Sequence, residues 1–410
     1  MTDGPPTQAV ILAGGQGTRL KPLTDSIPKP LVPVNDRPFL SYLLQQVKSQ
    51  GIQDVLVLVG YLADQVREFC GDGSQWGLNI TCVESPLEAE TGQRLSDVAS
   101  LLDSHFLLMY CDNYWPMDLP RMWDAYRKAG TPAMITVYSN RDGYSRANVR
   151  VDDGGLVTAY DPGRSSPDLN GVEIGYALLN NDVVAQIPSG NARFEHTVYP
   201  TLSERSALAA FTTDHRYYGV GSFERLKLTE AFFEPQKAVI LDRDGVLNER
   251  PPIAHYVRSW DEFHWLPGSI EAMRHLKTAG YKLALASNQS GIARGLMTEE
   301  DLAEVHRRMK ADLEAGGVTV DAIYHCSHGW DDGCFCRKPS PGMLFQAQQE
   351  FNLDLTKTLF IGDDERDEEA GKAAGCLTEL VTEERNLLDV VQEYLSKQGA
   401  TASCTHGRAF

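Results

Sequence analysis

The run Ala238-Val239-Ile240-Leu241 ends in Asp242-Arg243-Asp244-Gly245, and few folds accommodate that order. Apolar residues without alternation read as a strand buried on both faces, the habit of parallel sheets. Open α/β sheets receive ligands outside the carboxyl ends of their strands. Asp242 and Asp244 stand there, and their spacing turns both side chains of an extended chain to one face. Such a pair suits a nucleophile beside a proton carrier. Three later segments converge on the same edge. The strand from Lys282 ends in Ser287-Asn288, Cys336-Arg337-Lys338-Pro339 supplies two cations, and the strand from Thr358 ends in Gly362-Asp363-Asp364, with Asp367 one turn on. Strand and helix alternate between them, which predicts a doubly wound parallel sheet.

A different site precedes this one. Gln8 to Ala13 reads as another buried strand, followed by Gly14-Gly15-Gln16-Gly17-Thr18-Arg19-Leu20. Glycines after a strand let backbone N–H groups close on phosphate oxygens. Arg19, and Lys29 within Pro28-Lys29-Pro30, add the cations that suit a triphosphate and its departing pyrophosphate. The strand Phe106 to Tyr110 leads to Asp112. A chain of 410 residues exceeds one ordinary core, so two domains are expected. Glu234-Pro235-Gln236 breaks the chain between them. The expected extents are 7–232 and 237–396, with 398–410, poor in large apolar residues, as a disordered tail.

Cys326, His328, Cys334 and Cys336 fall within one short stretch. Three thiolates and one imidazole fill a tetrahedral Zn²⁺ site and leave no position for a reacting water, so the ion there is structural. It would tie down the loop that presents Arg337 and Lys338. The formal net charge of −18 argues against nucleic acid as a partner. The opening residues lack the features of a signal peptide, and no apolar run is long enough to span a membrane. A cytoplasmic enzyme with reduced cysteines is the expectation.

The first half resembles the sugar-1-phosphate nucleotidylyltransferases through Gly-Gly-x-Gly-x-Arg-Leu followed by Pro-Lys, and most the branch that transfers guanylyl to a heptose 1-phosphate. That resemblance implies a Rossmann-like mixed sheet and in-line attack of a sugar phosphate on a nucleoside triphosphate. It further implies that Gly14, Gly15 and Gly17 cradle the nucleotide, Arg19 and Lys29 handle its phosphates, and Asp112 meets Mg²⁺. Two segments depart from the family. Glu90-Thr91-Gly92-Gln93-Arg94-Leu95 is bulky where small residues are usual near base and ribose, and Gly219 stands where a second metal-binding acid is usual.

The second half resembles the haloacid-dehalogenase-type phosphatases. Asp-Arg-Asp-Gly, Ser-Asn-Gln-Ser-Gly-Ile-Ala-Arg-Gly and Cys-Arg-Lys-Pro place it beside the heptose 1,7-bisphosphate and histidinol-phosphate phosphatases. The resemblance implies that Asp242 is the nucleophile and Asp244 the acid and base. Mg²⁺ would be held by the Asp242 carboxylate, the Asp244 carbonyl and Asp363. Ser287 and Asn288 would hold phosphoryl oxygens, Lys338 would screen charge, and Arg337 would meet the distal group of the substrate. Together the halves describe a bifunctional enzyme. It would remove the 7-phosphate of a heptose bisphosphate and then activate the heptose 1-phosphate with a nucleoside triphosphate, GTP by resemblance. Two other readings stay open. One keeps a phosphatase with a nucleotide-sugar binding module. The other is a histidinol-phosphate phosphatase, to which the short His328–Cys334 loop points.

Overall fold

Residues 4–234 and 236–405 are described by a computed structural model, with side chains described through 398. The chain divides into two compact units after Glu234.

The first unit is built on a seven-stranded sheet. Its strands are β1 (Gln8–Ala13), β2 (Asp54–Val59), β3 (Asn79–Glu84), β4 (His105–Tyr110), β5 (Ala133–Tyr138), β6 (Val172–Asn180) and β7 (Leu208–Thr213). Their spatial order is β7-β5-β6-β4-β1-β2-β3. β1 pairs parallel with β2 and β4, whereas β6 runs antiparallel to both β4 and β5, so the sheet is mixed as the resemblance implies. Every residue of β1 is buried. Ala9, Ile11 and Ala13 enter one apolar cluster while Val10 and Leu12 enter another, which is the period-two alternation of a strand covered on both faces.

The second unit carries five strands, all parallel. They are β8 (Ala238–Leu241), β9 (Lys282–Asn288), β10 (Ala322–Cys326), β11 (Leu359–Gly362) and β12 (Leu377–Leu380), in the order β10-β9-β8-β11-β12. β8 is central, with Val239 and Leu241 in one cluster and Ala238 and Ile240 in the other. The carboxyl ends of β8, β9 and β11 therefore lie side by side, and Asp242, Ser287 and Asp363 are set there by the backbone alone.

The last helix, Leu387–Thr405, runs through the stretch from 398 assigned to a tail. Leu387, Val390 and Val391 anchor it in the core, and the stretch that follows contains no proline. Residues 406–410 lie outside the described residues.

Candidate active sites

At the end of β8, Asp242 is 8% exposed and accepts from the Arg243 backbone N–H at 2.7 Å through Oδ1. Its Oδ2 lies 2.9 Å from the Lys338 ammonium, which also stands 2.6 Å from Asp367 Oδ1. Ligand oxygens of Asp242, Asp363 and Asp367 all lie within 4.8 Å of one another. So many acids in a buried place repel, and the cations only partly offset it. Burial pushes the Asp242 carboxyl up to about 7 against the pull of Lys338. Asp363 rises to about 6, again through burial, although Arg250 reaches it at 3.0 Å. A divalent cation relieves this kind of crowding, and an oxygen-only donor set suits Mg²⁺. Gly245 makes the approach possible: it holds φ +91°, and a Cβ there would come within 1.9 Å of Asp363 Oδ2.

Asp244 points elsewhere. Its Oδ1 accepts from Arg243 Nε at 3.0 Å and Asn248 Nδ2 at 2.9 Å, and its Oδ2 from Arg243 Nη2 and Gln289 Nε2, both at 2.9 Å. Burial works against its charge, but Arg243 and these donors outweigh burial and hold the carboxyl below its ordinary value. Arg243 is fully buried, and its Nη1 donates to His306 Nε2 at 3.2 Å. His306 must be neutral to accept; burial, then Arg243, pushes it down to about 3. This arrangement keeps Asp244 ionised. Before acting as an acid it must pick up a proton and turn from the clamp.

The remaining expected residues line the same pocket: Ser287, Asn288, Arg337 and Lys338, joined by Arg250, Tyr256 and Trp330. Ser287 accepts from Gln289 at 2.8 Å. Asn288, expected on phosphoryl oxygens, instead spends its amide on Lys338, donating to the backbone carbonyl and accepting from the backbone N–H at 3.0 Å each. Arg337 Nη1 is buried without a hydrogen-bond partner, an unmet donor on a side chain that lines the pocket.

Cys326, at the end of β10, gathers the cysteine loop. Its Sγ lies 3.6 Å from His328 Nδ1, 3.6 Å from Cys334 Sγ and 3.2 Å from Cys336 Sγ. Cys336 Sγ lies 3.2 Å from His328 Nδ1 and 3.6 Å from Cys334 Sγ. The cysteines are free thiols. Sulfur ligands about 2.3 Å from one ion stand at such separations, so this donor set fits Zn²⁺. The next residues are Arg337 and Lys338.

In the first unit Lys29 Nζ meets Asp112 Oδ2 at 2.5 Å beyond the end of β4. Burial disfavours both charges, but each holds the other: the Asp112 carboxyl lies below its ordinary value and the Lys29 ammonium above. Gly17 takes φ +65°, with Lys29 and Thr24 packed against it. Gly15 has open space around it, and Arg19 reaches toward Gly221. Gly14 does not face open space: the Arg94 guanidinium lies against it. At Gly219, where the family's second acid was expected, a Cβ would stand 2.6 Å from Asn113 Oδ1 and 2.8 Å from the Asp112 carbonyl. Among the described residues the clusters of three or more metal-ligating side chains fall in the second unit. A single carboxylate paired to Lys29 is not a metal cage, so a Mg²⁺ here would lean on substrate phosphates.

Sequence reasoning missed Asp367 as a partner of Lys338, although its spacing of four from Asp363 on a helix start was a signal. It missed the clamp on Asp244, for which Arg243 and Gln289 gave none, because the sequence does not show that a side chain folds back on its neighbour. Arg250 was likewise invisible.

The comparisons with known proteins agree with this division. The nucleotidyl transferase family matches residues 8–224. The haloacid dehalogenase-like hydrolase family matches residues 181–375, although the start of that match lies in the first unit, where β7 pairs with β5. The D-glycero-beta-D-manno-heptose-1,7-bisphosphate 7-phosphatase of Bordetella bronchiseptica is 45% identical over 145 residues, 35% of this chain and 80% of that protein. The D-glycero-alpha-D-manno-heptose-1,7-bisphosphate 7-phosphatase of Campylobacter jejuni is 40% identical over 38% of this chain and 90% of that protein. A solved structure from Bacillus anthracis, described as a glucose-1-phosphate thymidylyltransferase, matches 55% of this chain and 94% of its own with a TM-score of 0.50 and 21% identity, a likeness of fold.

Proposed function

Because the chain belongs to the nucleotidyl transferase family through residues 8–224 and to the heptose-1,7-bisphosphate 7-phosphatase family through its other half, we propose that it is a bifunctional enzyme of nucleotide-heptose synthesis. The second unit releases the 7-phosphate of D-glycero-D-manno-heptose 1,7-bisphosphate. The first unit then joins the heptose 1-phosphate to a nucleotide, GMP from GTP, with release of pyrophosphate. What carries the reading is Asp242: a buried carboxylate at the end of the central strand, 2.9 Å from Lys338, in a pocket that also presents Ser287 and Arg337.

Asp242 attacks phosphorus and forms an aspartyl phosphate, which divides one difficult displacement into two easier ones. Lys338 favours the ionised nucleophile against the effect of burial and takes up charge on the phosphoryl oxygens. Asp244, once turned from its clamp, gives a proton to the leaving alkoxide and takes one from the water that opens the intermediate. Ser287 donates to a phosphoryl oxygen, and Asn288 fixes the Lys338 backbone. Arg337 receives the phosphate that is not cleaved. Mg²⁺, held by Asp242, Asp363 and the Asp244 carbonyl, would neutralise charge between the acids and the dianion. In the first unit Arg19 and Lys29 steady the triphosphate, whose transfer is mostly positioning and charge neutralisation.

The test is incubation with the bisphosphate and GTP, following inorganic phosphate and pyrophosphate separately. Asp242→Asn is expected to abolish phosphate release while leaving pyrophosphate release from supplied heptose 1-phosphate intact. Undiminished phosphate release would remove the assignment, and a strong preference for histidinol phosphate would replace the substrate.

A further inference from the structure

Arg94 sits where small residues were expected. It belongs to the short helix Thr91–Asp97, yet its side chain turns back against the sheet. Nη1 donates to the Val59 carbonyl at 2.6 Å and Nη2 to the Pro86 carbonyl at 3.0 Å. A Cβ on Gly14 would stand 2.3 Å from Arg94 Cζ, and one on Gly60 would stand 2.6 Å from Nη2. Gly14, Gly60 and Pro86 follow β1, β2 and β3, three neighbouring strands of the sheet. One guanidinium therefore fills the crevice beyond three adjacent carboxyl ends, where folds of this kind receive ligands. The space that two absent side chains open is taken up from within.

The cost of this arrangement is informative. Arg94 is 4% exposed; burial pulls its guanidinium below the ordinary value, and the charges of Asp97 and Glu90 only partly offset that. Burying a charge is unfavourable, and a leucine or methionine would fill the same volume without it, at the cost of leaving the Val59 and Pro86 carbonyls without this donor. Packing alone does not select an arginine there.

The neighbouring groups define what the crevice receives. Lys29 and Asp112 lie on the β1–β4 side. Beyond them Glu173 on β6 and Glu195, the latter bonded by Thr91 at 2.6 Å and Tyr110 at 3.2 Å, form an acidic and phenolic wall suited to sugar hydroxyls. A nucleotide with its phosphates at Lys29 has the β2–β3 side left for its nucleoside, and Arg94 stands there.

We propose that Arg94 is a specificity gate for the nucleoside, closing the base end of the crevice until an incoming nucleotide displaces its guanidinium from the Val59 and Pro86 carbonyls. This rests on reading the first unit as a nucleotidyltransferase. Displacement breaks two hydrogen bonds, so a nucleoside is admitted only where its own contacts replace them.

The experiment uses the full chain and calorimetric titration with GTP, ATP, CTP and UTP. Arg94→Ala is expected to bind at least one of them roughly tenfold more tightly than wild type. Arg94→Met, which keeps bulk without the carbonyl bonds, should fall between the two. Unchanged or weaker binding by a folded Arg94→Ala overturns the gate. Should Arg94→Ala lose the first unfolding transition, Arg94→Met decides: tighter binding than wild type upholds the gate, and equal or weaker binding overturns it. Pyrophosphate release from the same proteins separates the two readings. Tighter binding with no release in any variant keeps the gate and removes the transferase. Release by wild type with no gain in Arg94→Ala does the reverse.

Discussion

The Lys338 ammonium stands 2.9 Å from Asp242 Oδ2, and it reaches that place from a loop fastened at both ends. Asn288 holds its backbone from one side, and the Cys326–Cys336 cluster ends two residues before it. Its charge also separates Asp242 from Asp367. Lys338→Met keeps much of the volume and removes the cation, leaving two buried acids face to face. Phosphate release from the bisphosphate should fall by roughly 10²–10³. Steady-state phosphate assays check this, and a loss below tenfold would mean that Lys338 does not support the nucleophile.

Arg243 carries a separate burden. It is fully buried and binds both oxygens of Asp244. Removing one partner of a buried pair strands the other's charge, so Arg243→Met should destabilise the second unit by about 3–5 kcal/mol. Urea unfolding measures it. Adding Asp244→Asn should recover part of the loss, because the stranded charge is then gone; a purely additive double variant would show that the two groups are not coupled.

Much of this was legible in the sequence. Uninterrupted apolar runs ending in glycine or acids located β1, β8 and β11, and the sites at their ends followed from chain direction. The cysteine spacing named all four members of its cluster. Side-chain direction was not legible. Asn288 turning to the Lys338 backbone, Asp244 turning to Arg243, and Arg94 lying on Gly14 depend on which of several partners a flexible polar side chain finds. For Asn288 and Arg94 that choice is made by tertiary packing at long sequence separation, and for Asp244 by which way a side chain folds back on its neighbour. The departures at Glu90–Leu95 and Gly219 were visible as unusual residues, but that the Arg94 side chain fills the space over Gly14 and Gly60 was not.

The cysteine cluster makes a compositional prediction. Elemental analysis should find one zinc per chain, and Cys336→Ser should lose it. Because Lys338 follows that loop, phosphate release should fall about 10–100-fold, the range for removing support behind a site. Pyrophosphate release from supplied heptose 1-phosphate belongs to the other unit and should not change. Retention of zinc in Cys336→Ser would contradict the four-ligand assignment.

Glu173 sets a pH dependence of the first unit. It is held by the Gly175 N–H at 2.5 Å and stands 3.5 Å from the Tyr160 hydroxyl. Burial raises its carboxyl from an ordinary 4.5 up to about 7, helped by the charges of Glu195 and Asp112. Below pH 4.5 the folded and unfolded chains both carry this proton, and the group has no effect on stability. Between pH 4.5 and about 7 the unfolded chain releases it while the folded chain keeps it, so stability falls as pH rises through that window. Above about 7 the folded carboxyl ionises as well and the loss levels off, at about 3 kcal/mol. Glu173→Gln cannot ionise. Subtracting its stability-against-pH curve from that of wild type should therefore leave a falling step across this window, read from the first unit's transition in urea at a series of pH values. A flat difference curve would show that Glu173 titrates as an ordinary carboxyl.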